Sequence, residues 1–209
     1  ELEAMGNRMD LYFLGVVPGN FMTITSDIHQ AWYDTCVPLQ QFNLKHHVDQ
    51  GTPYIGAILN TGAIPGRGKH WVCMFIDLTK PVKQFLYYNS SGRRPFSDVH
   101  KFIKQIKEQA KQHNIPLKIS INEQASQFSK TECGTIVVMV LTGLSMGYSI
   151  EEISKELNEK KDQDDKFIKE LRGAFLLKNN FKIISGGDIT DDKNINHCNE
   201  CGENHKQHI

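Results

Sequence analysis

The chain reads as an α+β or mixed α/β domain, and three observations lead there. Two neighbouring runs, WVCMFIDL (71–78) and KQFLYYN (83–89), are rich in strand formers. Helical apolar periodicities flank them on both sides in sequence. A nearly unbroken apolar stretch, from Cys133 to about Leu144, suits a helix buried on all sides. Helices and strands are intermingled along the chain, without an internal repeat.

The individual elements follow in order. SDIHQAWYDTC (26–36) offers Ser26 or Asp27 as a helix cap ahead of Ile28 and Trp32, four residues apart on one face. YIGAILN (54–60) is expected as a buried strand, and TGAIPGRG (61–68) as a Gly- and Pro-punctuated loop. The pair 71–78 and 83–89 is joined by TKPV, short enough for a tight reversal, and SSGRRP (90–95) is loop. Ser97 is expected to cap a helix with Val99, Phe102, Ile103, Ile106 and Ala110 on one stripe. LKISIN (117–122) alternates as a strand. Ser149 and Glu152 form a capping box for IEEISKELN, and 164–178 is a further amphipathic helix. Beyond Phe181 the chain turns polar and Gly-rich, so the expected division is a domain over 1–182 and a polar tail over 183–209.

Composition bounds the function. With 209 residues, 39% hydrophobic and 23% charged, the chain suits one well-cored soluble domain. Lys plus Arg and Asp plus Glu stand at 24 each, so nothing in the charge calls for nucleic acid or an anionic membrane as partner. No apolar run approaches the ~20 residues needed to span a bilayer. LYFLGVV (11–17) is too short, and it follows an acidic rather than a basic stretch, so it is not read as a signal peptide. Glu1 stands where an initiator Met would, as in a fragment or processed product. Five cysteines, odd in number and unevenly placed, point to a reducing, cytosolic-type compartment rather than a disulfide framework.

Cys133 stands where a polar run gives way to the apolar helix, with Gly134 next to it. A helix N-terminus favours a thiolate, and a glycine there leaves room for a substrate backbone. A buried core cysteine is the competing reading. Among nine histidines, His46 and His47 lie in a polar stretch and His113 ends a helix, whereas His70 sits where a Gly-rich loop enters a strand. Catalytic groups often occupy such junctions. Asp77 would be roughly 23 Å from His70 along a strand at ~3.3 Å per residue, too far to orient its ring. Asn89 ends the next strand, and a hairpin would return it beside His70. Cys73, three residues from His70, points to the opposite sheet face and is expected in the core. Gln127, six residues before Cys133, could supply an oxyanion donor together with the Cys133 N–H, with Gln124 as a rival.

GKHWVCMFID, YYNSSG and QFSKTECG, in that order, resemble the signature of the adenain and SUMO-protease superfamily of cysteine peptidases. Within it, the GKHW opening, the Asn-Ser after the aromatic pair and the TECG ending are most like the polyprotein-processing branch of African swine fever virus and other large DNA viruses. The resemblance spans about Ile24 to Phe175. It implies a papain-like, adenain-like α+β core: a central mixed sheet flanked by helices, with Cys133 opening a buried helix. It implies His70 as general base, Asn89 as its orienting partner, Cys133 as nucleophile and Gln127 in the oxyanion hole. Trp71 would cover a narrow channel for a Gly-Gly substrate; Gly134, by its lack of a side chain, is the other expected substrate-binding position.

The implied activity is thiol-dependent cleavage after Gly-Gly in a viral polyprotein or structural precursor, in host cytoplasm or virion. Release of a SUMO-like or ubiquitin-like modifier is the alternative, and an inactive adaptor a second one. No cofactor is required for that chemistry. Two departures stand out. Most SUMO proteases carry Asp where this chain has Asn89, and a second channel tryptophan is replaced by Phe21 and Met22.

The tail holds Cys198, Cys201, His205 and His208 in a C-x2-C-x3-H-x2-H pattern, a candidate structural zinc set whose membership His197 makes ambiguous. A polar tail without metal is the competing reading. ISGGD (184–188) reads as a turn, with self-processing after its Gly-Gly as the alternative.

Overall fold

A computed structural model describes residues 11–66, 69–123, 125 and 133–159. The elements run β1 (Leu11–Val17), α1 (Ser26–Gln40), α2 (Leu44–Asp49), β2 (Tyr54–Asn60), β3 (Trp71–Asp77), β4 (Lys83–Tyr88), α3 (Ser97–Gln112), β5 (Leu117–Ile121), α4 (Cys133–Ser145) and α5 (Ile150–Glu159). The five strands form one sheet in sequence order. β1 pairs parallel with β2 and β4 parallel with β5, while β2–β3 and β3–β4 are antiparallel. The expected α+β architecture with a central mixed sheet is therefore present.

Alternation along the strands divides the core in two. Val72, Met74, Ile76, Phe85 and Tyr87 face one side and join Phe21, Leu39, Val99, Phe102 and Ile106 in a cluster built with α1 and α3. Cys73, Phe75, Leu86 and Tyr88 face the other side and meet Ile136, Val137, Val140 and Leu141 of α4, with Leu157 of α5. Both faces of β3 and β4 are thus covered, which is why those strands read as continuous apolar runs. Gly56 lets α4 close on the sheet: a Cβ there would lie 3.3 Å from a Leu141 methyl and from a Leu11 methyl.

The β3–β4 hairpin, the five-residue stripe of α3 and the reciprocal capping box of α5 lie where the sequence puts them. In the capping box, Ser149 N–H donates to Glu152 Oε2 (2.7 Å) and Glu152 N–H to Ser149 Oγ (3.2 Å). Three expectations need correction. Thr25 and Phe96, not Ser26, Asp27 or Ser97, occupy the N-cap positions of α1 and α3, and neither makes a side-chain cap bond. Ile28 does not share a face with Trp32, because His29 leaves helical geometry (φ −167°, ψ 101°) and Ile28 stays exposed. Nor is α4 buried on all sides. Cys133, Ile136, Val137, Val140, Leu141 and Leu144 press on the sheet, while Val138 and Met139 are half-buried, because the sheet covers one face only.

The expected helix over 164–178, the 182/183 boundary and the Gly-Gly at 186–187 lie outside the described residues. No helix among the described residues is long and apolar enough to cross a membrane.

Candidate active site

Three chain segments meet at one end of the sheet. His70 immediately precedes β3, Asn89 immediately follows β4, and Cys133 is the first residue of α4. The antiparallel register, with Cys73 opposite Tyr88, carries the end of β4 back to the start of β3. His70, Asn89 and Cys133 are 4%, 2% and 4% exposed, so the cluster is shielded from bulk water.

His70 Nε2 lies 2.8 Å from Asn89 Oδ1. Backbone groups of fixed polarity decide which end of the amide faces the ring. The Ser91 N–H can only donate, and it meets Oδ1 at 2.9 Å. The Arg93 carbonyl can only accept, and it takes a hydrogen bond from Nδ2 at 3.2 Å. The side chain is thereby set with its oxygen toward His70, reinforced by Ser91 Oγ donating at 2.7 Å. Nε2 of His70 must then carry the proton, leaving the Nδ1 lone pair for Cys133.

The electrostatics of His70 carry the same geometry. Burial disfavours the imidazolium, but hydrogen bonds to Cys133 and Asn89 and the charge of the Cys133 sulfur outweigh it, against a smaller repulsion from Arg93. The balance lifts His70 above its ordinary value. The Cys133 sulfur also sits at the N-terminus of a 13-residue helix, where the backbone N–H groups favour negative charge. A thiol, a base with a fixed tautomer and an orienting amide can together generate a sulfur nucleophile and return a proton to a leaving group.

Trp71 is half-buried and packs against the second core cluster. Its indole covers Gly134: a Cβ built there would lie 3.5 Å from Trp71 Cδ1 and 3.9 Å from Nε1. That is ordinary contact, so packing alone does not demand glycine at 134. Cys73 is 1% exposed in the cluster beneath α4, and burial pushes its thiol far up. Gln127 and the rival Gln124 lie outside the described residues, as do Cys198, Cys201, His205 and His208. Ala125, which is described, bridges Ser91 in an antiparallel contact.

Sequence reasoning missed the supporting shell of Ser91, the Arg93 carbonyl and Tyr87, whose hydroxyl lies 3.5 Å from Asn89 Nδ2. Burial raises the Tyr87 phenol to about 12, against a hydrogen bond with Asn89. The signal for Ser91 was present in N-S-S-G, since an Asn side chain commonly accepts from the backbone two residues on.

No family model matches the chain. Over 80 residues it is 35% identical to the SUMO-1 cysteine protease of African swine fever virus, covering 38% of this chain and 29% of that protein. Over 136 residues it is 26% identical to a protein of Acanthamoeba polyphaga mimivirus provisionally named a thiol protease, covering 63% of this chain and 41% of the other. The chain thus spans well under half the length of either curated relative. The crystal structure of the African swine fever virus protease matches with a TM-score of 0.56 at 20% identity, over 73% of this chain and 57% of that one. A selenomethionine form of it gives 0.52 at 22%. The chain is similar in sequence to these viral proteins, and its fold is that of the African swine fever virus protease.

Proposed function

We propose that this chain is a thiol-dependent endopeptidase that cleaves after Gly-Gly in protein substrates such as a viral polyprotein. The observation that carries the reading is His70, held between Asn89 Oδ1 at 2.8 Å and the Cys133 sulfur, at the mouth of α4. In this mechanism the Cys133 thiolate attacks the carbonyl of the scissile bond, and protonated His70 gives the proton from Nδ1 to the leaving amine. Water then resolves the thioester with His70 as base, and the enzyme returns to its starting state. The Cys133 N–H and the Gln127 side-chain amide are the proposed donors to the oxyanion.

Preference for Gly-Gly is supported by Trp71 closing over Gly134, because a strand of substrate passing beneath an indole has little room for side chains. Similarity to the SUMO-1 cysteine protease of African swine fever virus supports release of a SUMO-like modifier as a second reading. Zinc at Cys198, Cys201, His205 and His208 would be structural, and no step depends on it.

Purified protein and Cys133→Ala would each be offered Gly-Gly-X peptides, SUMO fusions and ubiquitin fusions. The expected result is cleavage of short peptides by the wild type alone. Cleavage confined to folded modifier fusions would make the chain a deconjugase. Equal behaviour of the two proteins on every substrate would overturn the peptidase reading in favour of an adaptor.

A further inference from the structure

The loop between β2 and β3 delivers both His70 and Trp71, and its two ends meet at one atom. Asn60, the last residue of β2, accepts at Oδ1 from the N–H of Gly62 (2.8 Å) and from the N–H of Lys69 (2.9 Å). Its neighbour Thr61 donates its N–H to the His70 carbonyl at 2.8 Å. Asn60 also stands opposite Trp71 in the β2–β3 ladder. The residue before His70, the His70 carbonyl and the residue after it are therefore all referenced to positions 60 and 61.

We propose that Asn60 is a positioning residue for His70, resting on the peptidase reading above. It acts as a two-donor acceptor that sets where the imidazole stands between Asn89 and Cys133. A ring whose only backbone tether was the strand behind it would be free to tilt. The carboxamide oxygen removes that freedom by tying the first turn of the loop to its last residue. Both contacts use the oxygen and neither uses the amide nitrogen, so the role is that of an acceptor. A carboxylate serves it as well as an amide, and a methyl group does not serve it at all.

The competing account is that Asn60 only staples the loop and contributes to stability. Asn20 provides the control, because it grips the same loop further from the ring. Its Nδ2 donates to the Ile64 carbonyl and its Oδ1 accepts from the Ile64 N–H, both at 2.9 Å. Asn20→Ala removes two hydrogen bonds from this loop, as Asn60→Ala does, but six residues before His70 rather than at it.

The test compares the full chain with Asn60→Ala, Asn60→Asp and Asn20→Ala. Each is measured for kcat and KM on a cleaved Gly-Gly peptide, for thermal midpoint, and by two-bond 1H–15N spectra of the His70 imidazole against pH. Asn60→Ala is expected to lower kcat about 10- to 100-fold with KM little changed, the scale of loss that follows a small misplacement of a catalytic group. Its His70 spectrum should lose the dominant Nε2–H form. Asn60→Asp should restore both, and Asn20→Ala should lower the thermal midpoint while leaving kcat and the His70 spectrum intact. An Asn60→Ala enzyme with wild-type kcat, or an Asn60→Asp enzyme as poor as Asn60→Ala, would overturn the proposal. Should the wild type cleave nothing, the peptidase reading fails by itself, and an unaltered His70 spectrum in Asn60→Ala then overturns this one too.

Discussion

Asn89→Ala isolates the orienting bond. The substitution removes an acceptor 2.8 Å from His70 Nε2 in a site where Asn89 is 2% exposed. A hydrogen bond between neutral groups is worth about 0.5–1.5 kcal/mol net, and one to a charged group about 1.5–3. In the proposed mechanism His70 is neutral while it resolves the thioester and an imidazolium while it waits to protonate the amine. The part of the bond felt only by the charged form is therefore the difference, about 1–1.5 kcal/mol. At about 1.4 kcal/mol per tenfold, that is a loss of roughly 5- to 12-fold in kcat. The freed ring also divides between two tautomers, which brings the expected loss to about 10- to 25-fold.

The pH profile gives a second readout with a definite sign. Burial is the largest single influence and lowers the His70 value, but hydrogen bonds to Cys133 and Asn89, together with the charge of the Cys133 sulfur, raise it on balance. Removing Asn89 subtracts one of the raising contributions, so the ring loses its proton at lower pH. Activity that needs the imidazolium then falls away earlier on the alkaline side. The stability sign agrees: a raised histidine stabilises the fold below its unfolded value, and that contribution is lost as pH rises through the folded value. The stability deficit of Asn89→Ala should therefore be larger in acid than in alkali. kcat against pH on a Gly-Gly peptide is the assay. Wild-type kcat together with an unmoved alkaline limb would refute the orienting role and leave Asn89 a turn former only.

Three further expectations are independent of that one. Brief alkylation at neutral pH followed by peptide mapping should label Cys133 ahead of Cys36 and Cys73, since burial raises both of those thiols, Cys36 to about 11; prompt labelling of Cys73 would contradict its place beneath α4. His47 stacks on Phe42 (centroids 5.1 Å, 19° between planes) and is held below its ordinary value by burial and then by His46, so the unfolded chain takes up the proton first as pH falls. The His47 contribution to stability should thus decline from about pH 7 to about pH 5, so thermal midpoints should fall less, or rise more, over that range in His47→Phe than in the wild type. In Gly143→Ala the new methyl would sit 2.8 Å from Ile153 Cδ1 and 3.2 Å from its Cγ1. Overpacking of about 1–3 kcal/mol, less about 1 for helix propensity, should lower the thermal midpoint by a few degrees, and a rise would show that Ile153 swings aside freely.

What could be read from the sequence was what depends on near neighbours. The β3–β4 hairpin joins two runs five residues apart, so strand formers and a short connection sufficed. The α3 stripe and the Ser149–Glu152 box are likewise fixed within one element. β1 was legible only as a segment too short to span a membrane, because its parallel pairing with β2 depends on a crossover through α1 and α2 that no local pattern encodes. At the start of α3, Asp98 has a distant use that no local pattern encodes: its buried carboxylate accepts from Met22 N–H at 2.8 Å and from Thr23 Oγ1 at 3.0 Å. Asn60 escaped for a related reason. Its importance lies in which backbone N–H groups the loop turns toward it, those of Gly62 and Lys69, and residue type does not specify that path.

The amide at position 89 is better understood from its surroundings than from the aspartate common in SUMO proteases. A carboxylate there would set a second acceptor against the Arg93 carbonyl, where Nδ2 now donates at 3.2 Å. The Ser91 N–H and Oγ, at 2.9 and 2.7 Å, already occupy the oxygen that faces His70. Gly92 makes this turn possible with a φ of +69°, which brings the chain back so that the Arg93 carbonyl reaches the side chain. One end of the pocket is thus lined by donors and the other by an acceptor, which is the polarity of an amide. An amide gives the imidazolium less support than a carboxylate would, and here His70 owes more of its raised value to Cys133 than to Asn89. In the proposed mechanism the positive charge on the ring is then held chiefly by Cys133, so consuming a thiolate there in the attack would weaken the ring's hold on its proton at the step where the leaving amine requires it.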